Sequence, residues 1–191
     1  FTDWIGRHLE SGTPAPRGAA LQAGLLLITY LMGPCCHAQE NTTGTDQFIM
    51  LQTQAEKGDV DAQYQLAILY SVGGTELSKD AVTAMRWYRK AAEQNHAGAQ
   101  YQLAIGYRDG QGVAKDEAEM VRWYHKAAEQ NFPDAQFNLG VCYANGQGTP
   151  KDELEAVKWY RKAAEQDHAA AISNLGVCYV KGWGVEKDAT E

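Results

Sequence analysis

The chain has 191 residues, 45 % hydrophobic and 21 % charged, which suits one folded domain with or without a tail and excludes a wholly disordered chain. Lys and Arg number 17 against 24 Asp and Glu, and because Asp3, Glu10, Arg7 and Arg17 cancel, the net −7 belongs to residues 39–191. A body this acidic lacks the clustered cations that neutralise phosphates, which argues against nucleic acid and an anionic membrane surface as partners. The four cysteines, Cys35, Cys36, Cys142 and Cys178, are too few for a disulfide framework and wrongly spaced for zinc.

In chain order, residues 1–18 match no structural pattern and are left unassigned. The chain starts at Phe1 and its first methionine is Met32. Arg17 precedes the mostly apolar stretch Ala19–Met32, and Gly33-Pro34 breaks it. Cys36 and Ala38 then supply small residues at −3 and −1. Residues 19–38 therefore read as a secretory signal cleaved after Ala38, which implies a periplasmic or secreted protein. A buried core helix, a lipid-attached Cys35 and an uncleaved signal-anchor are the alternatives. No run of about 18 apolar residues exists, so no ordinary membrane span is expected and the mature domain is not inserted. Residues 39–45 read as a linker.

The rest, 46–191, is a repeat. Trp87-Tyr88, Trp123-Tyr124 and Trp159-Tyr160 recur every 36 residues, each followed by Ala-Ala-Glu-Gln. Leu103, Leu139 and Leu175 keep that period, as do the glycine pairs 110/112, 146/148 and 182/184. The first copy is one residue longer, with the extra residue in the loop Ser71–Ser78. Each unit reads as two helices. Helix A carries an i, i+4, i+8 stripe such as Ala62, Leu66 and Tyr70. Gly-x-Gly ends it, and helix B opens at Asp80, Asp116 or Asp152, where Glu119 and Glu155 have the spacing of a capping box. Helix B buries its Trp-Tyr pair and following alanines. The A helices are expected at about 60–71, 97–108, 133–144 and 169–180, with Asn131 and Pro133 starting the third. The B helices are expected at 80–93, 116–129 and 152–165. Asp46–Gln54 falls where a degenerate helix B would cap the N-terminal end. Asp188–Glu191 repeats the start of a helix B, so the chain reads as truncated before further repeats, leaving one side of Leu175 and Tyr179 uncovered.

Ala135–Thr149, then Lys151-Asp152, then Trp159-Tyr160-Arg161-Lys162-Ala163-Ala164 resemble the Sel-one-like repeat, a relative of the tetratricopeptide repeat. The resemblance covers roughly 55–191. Ala67 and Ala104 stand where that family favours glycine, and Thr149 stands for valine. It implies an all-α fold, an α/α right-handed superhelical solenoid of about three and a half 36-residue helix-turn-helix repeats. It also implies a role in holding a protein or peptide partner.

With Leu66 at the centre of the buried side of helix A, Tyr64 and Ile68 point about 160° away, toward the groove of such a solenoid. The candidate binding row is Tyr64, Tyr101 and Phe137, then Ile68, Ile105 and Val141, with Arg108 at the mouth; Ser173 and Val177 end the two rows. Gln65, Gln102, Asn138 and Asn174 lie on the shoulder, where their amides can hydrogen-bond a peptide backbone. Packing of Tyr64 and its copies between neighbouring A helices is the competing reading.

No catalytic constellation emerges. Cys142 and Cys178 hold the same slot in adjacent repeats and read as small core residues. His96 and His168 sit two repeats apart in equivalent loops, and His125 replaces Arg89 and Arg161 on the surface. The Gly-x-Gly turns lack the lysine of a phosphate loop. The expectation is an exported, non-catalytic adaptor without metal or cofactor. A secreted hydrolase of cell-wall or antibiotic-like amides and a regulatory arm of a larger protein are the alternatives.

Overall fold

The computed structural model describes residues 44–74 and 77–185. The chain divides into Phe1–Phe48 and Ile49–Glu191; of the first unit, only the opening of one helix is described. The expected signal segment and the helix start at Asp188 lie outside the described residues. Among those residues there are eight α-helices: α1 Gly44–Glu56, α2 Val60–Val72, α3 Ala81–Glu93, α4 Ala97–Asp109, α5 Glu117–Glu129, α6 Pro133–Asn145, α7 Glu153–Ala164 and α8 Ala169–Lys181. The helices α2, α4, α6 and α8 are the expected A helices, and α3, α5 and α7 the B helices, within two residues at each end. The degenerate helix starts two residues earlier than expected, so residues 44–45 are helical and not linker.

Burial explains the repeat. Leu66, Leu103 and Leu139 are fully buried, as are Ala91, Ala127 and Ala163 on the B helices. Burying each leucine contributes about 1.5–3 kcal/mol. Tyr88, Tyr124 and Tyr160 of the B helices are buried, as are Trp123 and Trp159, but Trp159 joins the core of the preceding repeats while Tyr160 packs with Val157 and Cys178. Trp87, expected to be buried likewise, is only half-buried.

The Asp caps form as expected, but the capping box does not. Asp116 Oδ1 accepts from the Ala118 and Glu119 amides, both at 3.0 Å. The Glu119 carboxylate turns away and takes the Trp123 indole N–H at 3.0 Å. The Asp116 N–H instead donates to the Tyr107 carbonyl at 3.1 Å, and Asp152 N–H to Tyr143 at 2.9 Å. The preceding helix A thus satisfies the donor that a capping-box glutamate would have served.

Two turn types set the pitch. After α4, α6 and α8 the first glycine is left-handed (Gly110 at φ 73°, ψ 31°) and closes the helix end, whereas Gly73 after α2 has φ 73° with ψ −178°. The second lies against the start of the previous repeat's helix B: a Cβ on Gly148 would sit 2.2 Å from the Glu117 carbonyl oxygen. After each helix B, Asn95, Asn131 and Asp167 adopt φ of 69°, 61° and 60°. Asn131 therefore closes α5, and Phe132, not Asn131, is the residue preceding α6. Gly58 holds the same place after α1 at φ 98°, which fits α1 to the helix B register.

The face of the A helices

Buried amides, which the sequence reading overlooked, tie the repeats together. Gln63, Gln100 and Gln136 are buried on α2, α4 and α6. Their Nε2 atoms donate back to the Ala55, Ala92 and Ala128 carbonyls at 3.0, 3.1 and 3.2 Å. Their Oε1 atoms accept from Gln94, Gln130 and Gln166 at 2.8, 2.7 and 2.8 Å. A buried amide is costly unless paired, so this chain of bonds fixes the rotation of each helix about its axis. The recurrence of Ala-Gln at 62–63, 99–100 and 135–136 was the available signal.

A second device lies on the candidate face itself. Tyr64, Tyr101 and Phe137 are half-buried, each 5.9 Å from the tyrosine of its own helix B (Tyr88, Tyr124, Tyr160). Each also packs on the ring preceding the next helix A: His96 at 4.3 Å, Phe132 at 5.1 Å and His168 at 4.8 Å. The aromatic row therefore joins neighbouring repeats.

The remaining candidates divide. Ile68, Ile105 and Val141 are half-buried beside the aromatic row, and Val177 is exposed. Among the described residues, Gln65 and Gln102 make no side-chain hydrogen bond, so their amides are open to an incoming group. Asn138 is engaged, donating to the Asp134 carbonyl at 2.8 Å and the Tyr101 hydroxyl at 3.5 Å. Asn174 lies beside the Tyr160 hydroxyl. Arg108 is clamped by Asp109 through Nε at 2.8 Å and Nη2 at 3.1 Å, and its Nη1 reaches the Tyr124 hydroxyl at 3.5 Å. The same pair holds the Asp109 carboxyl below the usual carboxylate range. Burial raises the Tyr101 hydroxyl, assisted by the Asp134 carboxylate. The face therefore presents hydroxyls, amides and aliphatic groups, with the exposed Asp61 and Asp134 carboxylates beside the aromatic row and one arginine paired with Asp109.

On the other helices, Lys90, Lys126 and Lys162 lie over Trp87, Trp123 and Trp159 at 3.9, 4.1 and 4.1 Å. Arg89 and Arg161 donate to the Tyr107 and Tyr179 hydroxyls at 2.5 and 2.7 Å. His125, in the corresponding slot, is not simply a solvated side chain: it meets the Trp159 ring edge-on at 5.6 Å and approaches Glu129 at 3.4 Å. Cys142 and Cys178 are buried free thiols, as expected. Among the described residues there is no group of three or more His, Cys, Asp or Glu able to hold a metal, and no helix long and apolar enough to cross a membrane.

The Sel1 repeat pattern matches residues 60–96, 97–132, 133–168 and 169–191. Among solved structures, the chain is similar to c5321, a protective antigen present in uropathogenic Escherichia coli strains and displaying an SLR fold. The identity is 43 % and the TM-score 0.71, over 74 % of this chain and 30 % of that one. A Sel1 repeat protein from Oxalobacter formigenes is 37 % identical with a TM-score of 0.67, covering 74 % of this chain and 63 % of that one. Cysteine rich protein B of Helicobacter pylori is 25 % identical with a TM-score of 0.53, over 71 % of this chain and all of that one. The chain thus spans less than two thirds of the first two structures. No curated protein matches it at a significant level.

Proposed function

The chain belongs to the Sel1 repeat family, whose members are in general protein–protein interaction scaffolds, and from that premise we propose that it is an exported adaptor that holds a protein or peptide segment on the face of its A helices and catalyses nothing. The observation that carries this reading is the pair of unbonded amides, Gln65 and Gln102, in equivalent positions of successive A helices beside Ile68 and Ile105. Side-chain amides both donate and accept, so they can bond the backbone of an extended segment while the aliphatic rungs take its side chains. Export rests on Arg17, the apolar stretch Ala19–Met32 and the small residues before Gln39.

Affinity capture from an envelope extract tests the binding reading. The bait is the chain, run beside a Gln102→Ala/Ile105→Ser variant, which leaves the inter-repeat bonds intact. A protein retained by the first and lost from the second supports the proposal. Equal retention by both would overturn the choice of face, and no retention by either would count against an adaptor. Export is tested separately, by N-terminal sequencing of protein recovered from an envelope fraction. A chain starting at Gln39 is expected, and one confined to the cytoplasm with residues 19–38 intact would refute it.

A further inference from the structure

Charge on the A-helix face between α2 and α6 is sparse and mostly of one sign. These three helices hold three carboxylates, Asp61, Asp109 and Asp134, and one guanidinium, Arg108. Asp109 lies 2.8 Å from Arg108 and is engaged with it. Asp61 and Asp134 stand in the first turns of α2 and α6, and 83 % and 55 % of their side chains are exposed. Each approaches one histidine, His96 at 3.7 Å and His168 at 3.2 Å. A carboxylate has about four acceptor sites, so each keeps room for another donor. One turn after Asp61, on the same side of α2, comes the open amide of Gln65. Helix α4 repeats the amide at Gln102 but not the acid: Gly98 takes that slot, and a Cβ there would lie 3.2 Å from the Tyr64 hydroxyl. The order across the face is therefore acid, uncharged, acid. Helix α8 ends the pattern, with Ala170 in the acid slot and Lys181 in its last turn. The segments 56–61, 93–98 and 129–134, which lead into the three helices, add Glu56, Asp59, Glu93 and Glu129 against Lys57.

Resting on the reading of this face as a docking surface, we propose that its occupant is cationic: an extended segment of a partner protein whose lysine or arginine side chains meet Asp61 and Asp134, with uncharged residues between them over Ile105 and backbone groups on Gln65 and Gln102. Charge selects this segment among the alternatives. A carboxylate takes an ammonium or guanidinium in a charge-assisted hydrogen bond. An acidic segment would meet two exposed carboxylates and a guanidinium whose Nε and Nη2 already bond Asp109. A wholly apolar segment would take water from Asp61 and Asp134 and return no donor, which is costly. The acidic border formed by the leading segments also draws a cationic chain toward the face and disfavours an anionic one.

Selection of random displayed peptides on the immobilised full chain tests this, followed by titration of the selected peptides by fluorescence anisotropy. Lysine and arginine are expected to be enriched over the unselected library at two positions separated by uncharged residues. Changing both cations of a selected peptide to glutamine should weaken binding about 3–10-fold, the effect of two exposed ion pairs. An Asp61→Asn/Asp134→Asn variant should lose the same factor for the parent peptide and nothing for its glutamine form, and added salt should narrow the difference. Asparagine keeps a side-chain oxygen toward each histidine, and a melt followed by circular dichroism checks that the fold is kept. If the double variant melts early, Asp61→Asn alone replaces it. Absence of cation enrichment, equal binding of the lysine and glutamine forms, or a parent peptide indifferent to the asparagine variant overturns the cationic occupant and leaves the face as a docking surface. Peptides held equally by the Gln102→Ala/Ile105→Ser variant, or recovery of no peptide, overturn both readings.

Discussion

His168 and Asp134 stand in different repeats, yet Nε2 of the histidine lies 3.2 Å from the aspartate Oδ1, while Nδ1 of the same ring accepts the Ala171 amide at 3.2 Å. One side chain thus starts α8, reaches back to α6 and stacks on Phe137. His96 does the same for α4, accepting from Ala99 at 3.0 Å and approaching Asp61 at 3.7 Å. At the intervening boundary both partners change together: Phe132 replaces the histidine and Gly98 the aspartate. The aromatic stack is common to all three boundaries, and the polar clasp belongs to two.

Replacing His168 by alanine removes a cap and a stack, with an expected cost of about 1–2 kcal/mol. His168→Phe keeps the stack, as Phe132 does, and should lose less. Thermal melts followed by circular dichroism check the order, wild type above phenylalanine above alanine. Each kcal/mol corresponds to about 2–4 °C in a chain of this size.

The amide chain predicts coupling. Gln130→Leu leaves the buried Gln100 Oε1 without its donor, for an expected loss of about 1–3 kcal/mol. Gln100→Leu removes the bond to Ala92 but frees an exposed Gln130 amide to water, and the double variant should cost less than the sum of the two, because no buried acceptor is then left unpaired. Urea denaturation of the four proteins measures the coupling, and strict additivity would contradict it.

Gly146 and Gly148 should differ although both have positive φ. At Gly146 a Cβ would meet Lys151 at 3.3 Å in open left-handed geometry, so Gly146→Asn is expected to cost under about 1 kcal/mol. At Gly148 the Cβ would strike the Glu117 carbonyl, and Gly148→Ala should cost about 3 kcal/mol or more by forcing the repeats apart. Paired denaturation curves decide.

Burial pushes the Cys142 thiol up to about 11. Between the ordinary thiol range near 9 and that value the unfolded chain ionises while the folded one stays protonated. This contribution is therefore fully present below pH 9 and is lost as pH rises to 11. The buried tyrosine Tyr124 acts in the same direction at higher pH. Cys142→Ala should flatten the decline in stability between pH 9 and 11, measured by denaturation. In the wild type, Cys142 should resist iodoacetamide until the chain unfolds.

The candidate face should separate into structural and open positions. Tyr101→Ala loses contacts with Tyr124 and Phe132 and should cost about 2 kcal/mol or more. Gln102→Ala, with no bond to lose, should leave the melting curve within about 0.5 kcal/mol of wild type. Equal destabilisation by both would mean that Gln102 is also committed to the fold.

The sequence by itself determined the helices, their order, the aspartate caps of the B helices and the glycines that end the A helices. A 36-residue recurrence of Trp-Tyr, Ala-Ala and Gly-x-Gly repeats one local solution to burial and turn geometry, and local rules suffice to read it. The register of α1 was legible for the same reason, because Met50 lies one period before Trp87. Tertiary structure alone decided what each conserved-looking slot bonds to. Gln63 and Gln94 are 31 residues apart, and no periodicity within one helix says that their amides meet. The same holds for His96 and Tyr64, which the sequence placed in a loop and a groove and the fold stacked together. Glu119 shows the limit most sharply: its spacing suited a capping box, but the Tyr107 carbonyl from the preceding helix had already taken the donor. Spacing along one helix sets which face a side chain occupies, and only the neighbouring repeat determines what that face touches.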